Sequence, residues 1–209
     1  MPDSSAAPSH DAQRYGVDVD AENVSLFEQW LADDRNVVDV LWRHVAPEMA
    51  GRRRARTAVL LLIASENDRG GFRGRQHVLL YDDDVGGTGK SALGDWIKFR
   101  LSDGYGCGPD SSEAGLKYNA NQGKPGKLAM AHGGILRIEE FGKFDKSDRQ
   151  ATYEAMSEGY FEVDKGGVNT EFPSQSRIIA LSNDISRLTG PMVSRFDFAI
   201  ELDGYDAEE

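Results

Sequence analysis

The stretch HVLLYDDDVGGTGKSALGDWIKFRL, residues 77–101, joins three kinds of local sequence. His77–Asp82 is a short apolar run of the length of a buried strand. Residues 85–89 are rich in glycine, and the following segment places Leu93, Trp96, Ile97 and Leu101 on one helical face. A strand that runs through a glycine loop into a helix is the setting a phosphate-binding loop requires. The bare backbone N–H groups of such a loop, with the helix N-terminus, attract phosphate oxygens. Gly86, Gly87, Thr88 and Gly89 would form that cradle, Lys90 would reach the terminal phosphates, and Ser91 would offer its hydroxyl to Mg²⁺. The loop opens poorly for this task. Asp84 stands where the pattern G-x-x-x-x-G-K-[ST] has its first glycine, directly after Asp82 and Asp83. A carboxylate close to a phosphate repels it, although aspartate tolerates left-handed backbone angles.

The chain has 209 residues, enough for one domain with a real core. A hydrophobic content of 39% places it among ordered proteins, and a net charge of −11 argues against a broad basic nucleic-acid face. Sixteen arginines against eight lysines, with the acidic excess, suit a high-salt cytoplasm. The single cysteine, Cys107, rules out an intramolecular disulfide and a Cys-rich zinc site. The N-terminal residues have no apolar core of a signal peptide, and the longest apolar run, Ala58–Ala64, is too short to span a bilayer. A cytoplasmic protein without membrane contact is expected. Residues 1–20 read as a disordered acidic tail and residues 21–209 as one core.

Outside the glycine loop, SLFEQWLADD and NVVDVLWRHVAPEMAG carry helical spacing through Leu26, Trp30, Leu31, Val37, Val40, Leu41 and Val45. A further helix follows over RRRARTAVLLLIAS, and GRRRAR (Gly51–Arg56) reads as its solvated first turn. Gly104–Gly126 reads as a long functional or mobile loop. GILRIEEF, SRIIALSND and FDFAIEL read as strands. SDRQATYEAMSEG reads as a helix with Ser147 as N-cap, Gln150 completing a capping box, and Gly159 as its stop. YFEVDKGGVNTEF reads as a hairpin turning at Lys165-Gly166-Gly167. Strands alternating with helices imply an α/β three-layer core with a mainly parallel sheet.

Three further positions carry chemistry. A nucleotide hydrolase needs one carboxylate at a strand end to hold Mg²⁺ and another to orient the attacking water. Glu139 and Glu140 are adjacent at such an end, with Arg137 interrupting the apolar run before them. Asn183, at the tip of a buried strand, fits a hydrogen bond to the water or the γ-phosphate. Arg195, just before the last strand, fits a reach to the nucleotide of an adjacent subunit.

From Gly133 onward the run GGILRIEEFGKFDKSDRQATYEAMSEGYFEVDKGGVNTEFPSQSRIIALSND, followed by PMVSRFDF, resembles the AAA+ core of the minichromosome maintenance (MCM) replicative helicases. SSEAGL (Ser111–Leu116) and APEMAG (Ala46–Gly51) are similar to two further segments of that core. Magnesium-chelatase-like and MoxR-like AAA+ proteins are the nearest competitors. The resemblance implies a P-loop NTPase fold with a hairpin before the Asn183 strand, binding ATP and Mg²⁺. Lys90 and Ser91 take the Walker A positions, Glu139 the metal-coordinating one, Glu140 the catalytic one, and Asn183 the sensor. It further implies that Arg195 acts on a neighbouring protomer's ATP in a hexamer-like ring or a hetero-assembly with replication proteins. Lys165 becomes a DNA contact in the central channel. Glu139 replaces the family's Asp, and the KYNANQGKPGK segment implies a cut-back insertion hairpin. The chain stops where the family's helical lid begins, so no lid is expected.

The leading expectation is therefore an ATP-hydrolysing MCM-like module for DNA unwinding in replication. The alternative is a degenerate nucleotide-binding scaffold or replication-partner protein without turnover, which Asp84, Glu139, Arg137 and the expected lack of a lid favour. A plain DNA-binding module built on GRRRAR and Lys165 is disfavoured by the negative charge.

Overall fold

A computed structural model describes residues 36–68, 70–82, 87–101, 104–108, 113–119, 122–165 and 167–202, together with Ser25, Glu28, Gln29 and Ala32, which are helical. The expected apolar positions Leu26, Trp30 and Leu31, the first twenty residues, Asp83, Asp84 and Gly86 lie outside the described residues. Along the chain, α1 (Val37–Leu41) runs into a 3-10 turn (Trp42–His44), and α2 (Arg53–Ala64) precedes β1 (Val78–Tyr81). Next come α3 (Lys90–Arg100), β2 (Gly104–Cys107), α4 (Glu113–Leu116), β3 (Tyr118–Asn119), β4 (Lys124–Pro125) and α5 (Lys127–Met130). Then follow β5 (Ile135–Ile138), α6 (Lys146–Glu158), β6 (Tyr160–Lys165) and β7 (Val168–Pro173). The last elements are β8 (Arg177–Ser182), α7 (Gly190–Val193) and β9 (Phe198–Glu201).

The five-stranded sheet has the order β2-β5-β8-β1-β9, and each neighbouring pair is parallel. Both faces are covered, so its central strands are mainly apolar rather than alternating, with Arg137 of β5 the exception within a run. Successive residues still go to opposite layers. Leu79, Leu136, Ile178 and Ala180 pack with Ala151, Ala155 and Met156 of α6. Val78, Leu80, Ile135, Ile179 and Leu181 pack with Val59 and Leu62 of α2 and Leu93 and Ile97 of α3. This is the three-layer α/β sandwich expected, with β6 and β7 standing off it as an antiparallel hairpin.

Four local expectations are corrected. Gly104–Gly126 is not one loop: β2 is the edge of the main sheet, and β3 pairs antiparallel with β4. GYGC has little intrinsic strand preference, so pairing with β5 decides its conformation. The N-cap of α6 is Asp145, whose carboxylate accepts from the Asp148 N–H; Ser147 lies inside the first turn. Only Val37–Leu41 of the expected helix over NVVDVLWRHVAPEMAG is α-helical. GRRRAR is only half solvated. Arg53 and Arg54 are exposed, but Arg52 and Arg56 are buried, and Arg56 donates to the carbonyls of Arg43, Val45, Met49 and Gly51.

Candidate functional site

In a parallel sheet, a crevice opens at the carboxyl ends of strands that neighbour each other but are distant in sequence. β1 lies between β8 and β9, so the glycine loop leaves β1 beside the end of β8. The Asp82 N–H donates to the Ser182 carbonyl at 3.3 Å, which ties the loop's entrance to the residue before Asn183. Gly87 and Gly89 have φ of 82° and 91°, the left-handed region that favours glycine. Gly89 caps α3, and Lys90 and Ser91 form its first turn. Gly87, Thr88, Gly89, Lys90, Ser91, Ala92 and Asn183 line one cavity of about 390 Å³. The chain thus gathers Gly87–Ser91 and Asn183, although ninety residues of sequence separate the loop from the strand tip.

Asp82 and Lys90 are both buried and form an ion pair. The Thr88 hydroxyl donates to the same Asp82 oxygen, Oδ2, at 2.6 Å. The other oxygen, Oδ1, is buried without a hydrogen-bond partner among the described residues. Lys90 therefore points to a carboxylate of its own chain.

A second internal pair lies at the end of β5. Arg137 is buried beneath α3, against Gly94, and its guanidinium pairs with Asp95 at 2.7 Å and with Glu139. The Glu139 N–H donates to the Cys107 carbonyl at 2.9 Å, so β2 supports the acid's backbone. Glu140 follows in the left-handed region at φ 50°, an uncommon and strained conformation for a non-glycine residue. Its carboxylate meets Lys143 at 2.5 Å. Glu140, Gly142, Lys143, Ser182, Asn183 and Asp184 line a second cavity of about 230 Å³. Asn183 belongs to both cavities and joins the Glu140 side to the loop side. Beside it, hydrogen bonds from the Ser186 hydroxyl and backbone hold Asp184 below the usual carboxylate range.

Two expected residues stand apart. Arg195 lies at the amino end of β9, whereas the glycine loop leaves the carboxyl end of the parallel β1. A four-residue strand of about 3.3 Å per residue puts about 13 Å between those ends. Arg195 is exposed and contacts the Ser157 hydroxyl at the end of α6. Lys165 ends β6 at the hairpin turn, in a two-stranded sheet separate from the main one. The sequence pointed to Lys90, Ser91, Glu139, Glu140 and Asn183, but not to Asp82 as the partner of Lys90 or Asp95 as a partner of Arg137.

The space at Gly87 is open: a side-chain carbon there would meet no described residue within 4 Å. That space and the inward Lys90 fit a polyphosphate tail. Among the described residues no three His, Cys, Asp or Glu side chains gather as a metal site. A cation held by Ser91 and Glu139 would take the rest of its shell from water or phosphate oxygens. Also among the described residues, no helix is long and apolar enough to cross a membrane.

The fold and this crevice define an α/β protein of the P-loop nucleotide-binding class. Residues 25–204 match the family model of the MCM P-loop domain, and the chain belongs to the MCM family. It is similar to the DNA replication licensing factor MCM7 of Arabidopsis thaliana, at 31% identity over 80% of this chain and 27% of the relative. It is 30% identical to mcm7 of Schizosaccharomyces pombe over 76% of this chain and 22% of the relative. A probable DNA helicase MCM9 of Oryza sativa is 27% identical over 89% of this chain and 32% of the relative. The chain thus spans less than a third of the length of these relatives.

Proposed function

We propose that residues 21–209 form an AAA+ module that binds ATP with Mg²⁺, hydrolyses it and serves DNA replication in a ring-like assembly. The observation that carries this reading is the single cavity shared by Lys90, Ser91 and Asn183, with Glu140 across Asn183. Lys90 would hold the β- and γ-phosphates once it leaves Asp82, with the loop N–H groups around them. Ser91 and Glu139 would hold Mg²⁺, which when bound offsets the charge of the phosphate oxygens. Glu140 would orient a water for in-line attack, and Asn183 would hydrogen-bond the water or the γ-phosphate. Arg195 would act on the ATP of the next protomer. Lys165, at the hairpin turn, would contact DNA. A replication role accords with the licensing-factor and helicase names of the relatives. The acidic, arginine-rich composition supports a cytoplasm of high salt as the working environment.

Turnover of radiolabelled ATP, with and without single-stranded DNA, tests this reading. Wild type should release phosphate, and Lys90→Ala and Glu140→Gln should each abolish it. A second reading, a nucleotide-binding scaffold without turnover, is favoured by the pairing of Glu139 with Arg137, which neutralises the acid expected to face the metal. Nucleotide binding by a wild-type chain that releases no phosphate would select it.

A further inference from the structure

Asp82 is 1% exposed and Lys90 7% exposed, so their pair is shielded from solvent. Two donors of the loop, the Thr88 hydroxyl and the Lys90 ammonium, converge on the single oxygen Oδ2. An ammonium and a hydroxyl facing one oxyanion are the donors that a phosphate oxygen would draw. Asp82 thereby offers this loop an anion from within the chain. The arrangement is unbalanced, because Oδ1 is buried with no hydrogen-bond partner among the described residues. A buried unsatisfied carboxylate oxygen is costly. Both donors thus serve Oδ2 alone. Gly87 and Gly89, both left-handed, lie on either side of Thr88 and let that part of the loop turn.

We propose that Asp82 is an internal competitor for the nucleotide's phosphate. In the resting chain it holds Lys90 and Thr88, and ATP enters by taking both donors from it. Asp82 then sets the affinity of the site: the intrinsic attraction of the loop for phosphate is reduced by the free energy of parting Lys90 from Asp82. This inference rests on the reading of Lys90 as a phosphate ligand. It adds a residue before the loop that lowers affinity, independent of the loop positions 83–86.

The test is equilibrium binding of a ribose-labelled fluorescent ATP with Mg²⁺ to the full chain. Wild type is compared with Asp82→Asn, Asp82→Ser, Lys90→Ala and Asp82→Asn/Lys90→Ala. Each is assayed at a temperature at which its thermal melt shows a folded protein. Both Asp82 variants should bind at least tenfold more tightly than wild type. Lys90→Ala should bind at least tenfold more weakly, and adding Asp82→Asn to it should restore less than the gain that Asp82→Asn gives in wild type, because only Thr88 is then left for the competitor to hold. Equal affinity in wild type and both Asp82 variants, with loss in Lys90→Ala, would overturn the competition and leave the site standing. Weaker binding in both Asp82 variants would also overturn it, making Asp82 a residue that positions Lys90. Binding by Lys90→Ala as tight as wild type, or no binding by any variant, would remove the phosphate site itself, and the competition with it.

Discussion

Gly94 and Arg137 must be read together. A side-chain carbon added at Gly94 would stand 2.6 Å from Arg137 Nε and 2.9 Å from its Cδ. Those atoms cannot swing away, because the guanidinium beyond them is held by Asp95 and Glu139. Gly94→Ala gains about 1 kcal/mol of helix propensity, but forcing atoms into a packed interior costs about 1–3 kcal/mol. We expect net destabilisation of up to about 2 kcal/mol in urea unfolding. In an Arg137→Ala background the same change should become neutral or stabilising. An equal cost in both backgrounds would mean that Arg137 is not the obstruction. In the sequence, Arg137 shows only as a break in an apolar run. Its meaning depends on Asp95, 42 residues away, which only the packing of α3 on β5 brings beside it. Asp82 is likewise visible in the sequence as a misplaced carboxylate, but spacing does not say that it turns inward to Lys90.

The start of α6 shows how a capping pattern can be placed two residues too late. Ser147 and Gln150 satisfy the spacing of a capping box, yet Asp145, two residues earlier, has the extended backbone of a cap and accepts from the Asp148 N–H at 2.9 Å. Asp145→Ala should therefore cost about 1 kcal/mol of stability, and Ser147→Ala less than about 0.5 kcal/mol, both read as shifts in urea midpoint. Comparable losses at the two positions would refute the assignment. Strand ends offer a second test, through His77. Its ring is fully buried just before β1, its Nδ1 accepts from the Ile178 N–H of β8, and the backbone N–H of His77 donates to Asp197 before β9. Burial, then the charges of Arg75 and Arg73, push its pKa down from 6.5 to about 3, with Asp68 opposing. Between those values the unfolded chain binds a proton that the folded chain refuses. Stability is thus unaffected above pH 6.5 and falls as pH drops, by at most about 1.4 kcal/mol per unit. His77→Gln should flatten urea midpoints measured from pH 7 to 5. Asp145, whose pKa is lowered chiefly by the Asp148 N–H, loses its contribution only below its ordinary 3.8 and does not enter that window. A slope unchanged in His77→Gln would assign the acid sensitivity elsewhere.

Most of the architecture was legible because strands covered on both faces are written as mainly apolar runs, and four of the proposed site residues follow such runs. Lys90 follows β1, Glu139 and Glu140 follow β5, and Asn183 follows β8, so one sheet brings all of them to its carboxyl edge. Arg195 breaks this rule, since it precedes its strand and lies at the opposite edge. If it serves catalysis, it does so for another copy of the chain, and that has a consequence that mixing can reveal. Lys90→Ala destroys a protomer's own phosphate site but leaves its Arg195 to serve a neighbour. Arg195→Ala keeps the phosphate site but offers its neighbour nothing. Each variant alone should be without turnover. An equimolar mixture should regain activity, because interfaces that join an intact Lys90 site to an intact Arg195 form again; with random assembly, about one interface in four is complete. Phosphate release by the mixture near a quarter of the wild-type rate is the expected outcome, with light scattering showing that nucleotide promotes assembly. A mixture as inactive as its components, formed from a wild type that does turn over and assemble, would leave Arg195 without a target in trans.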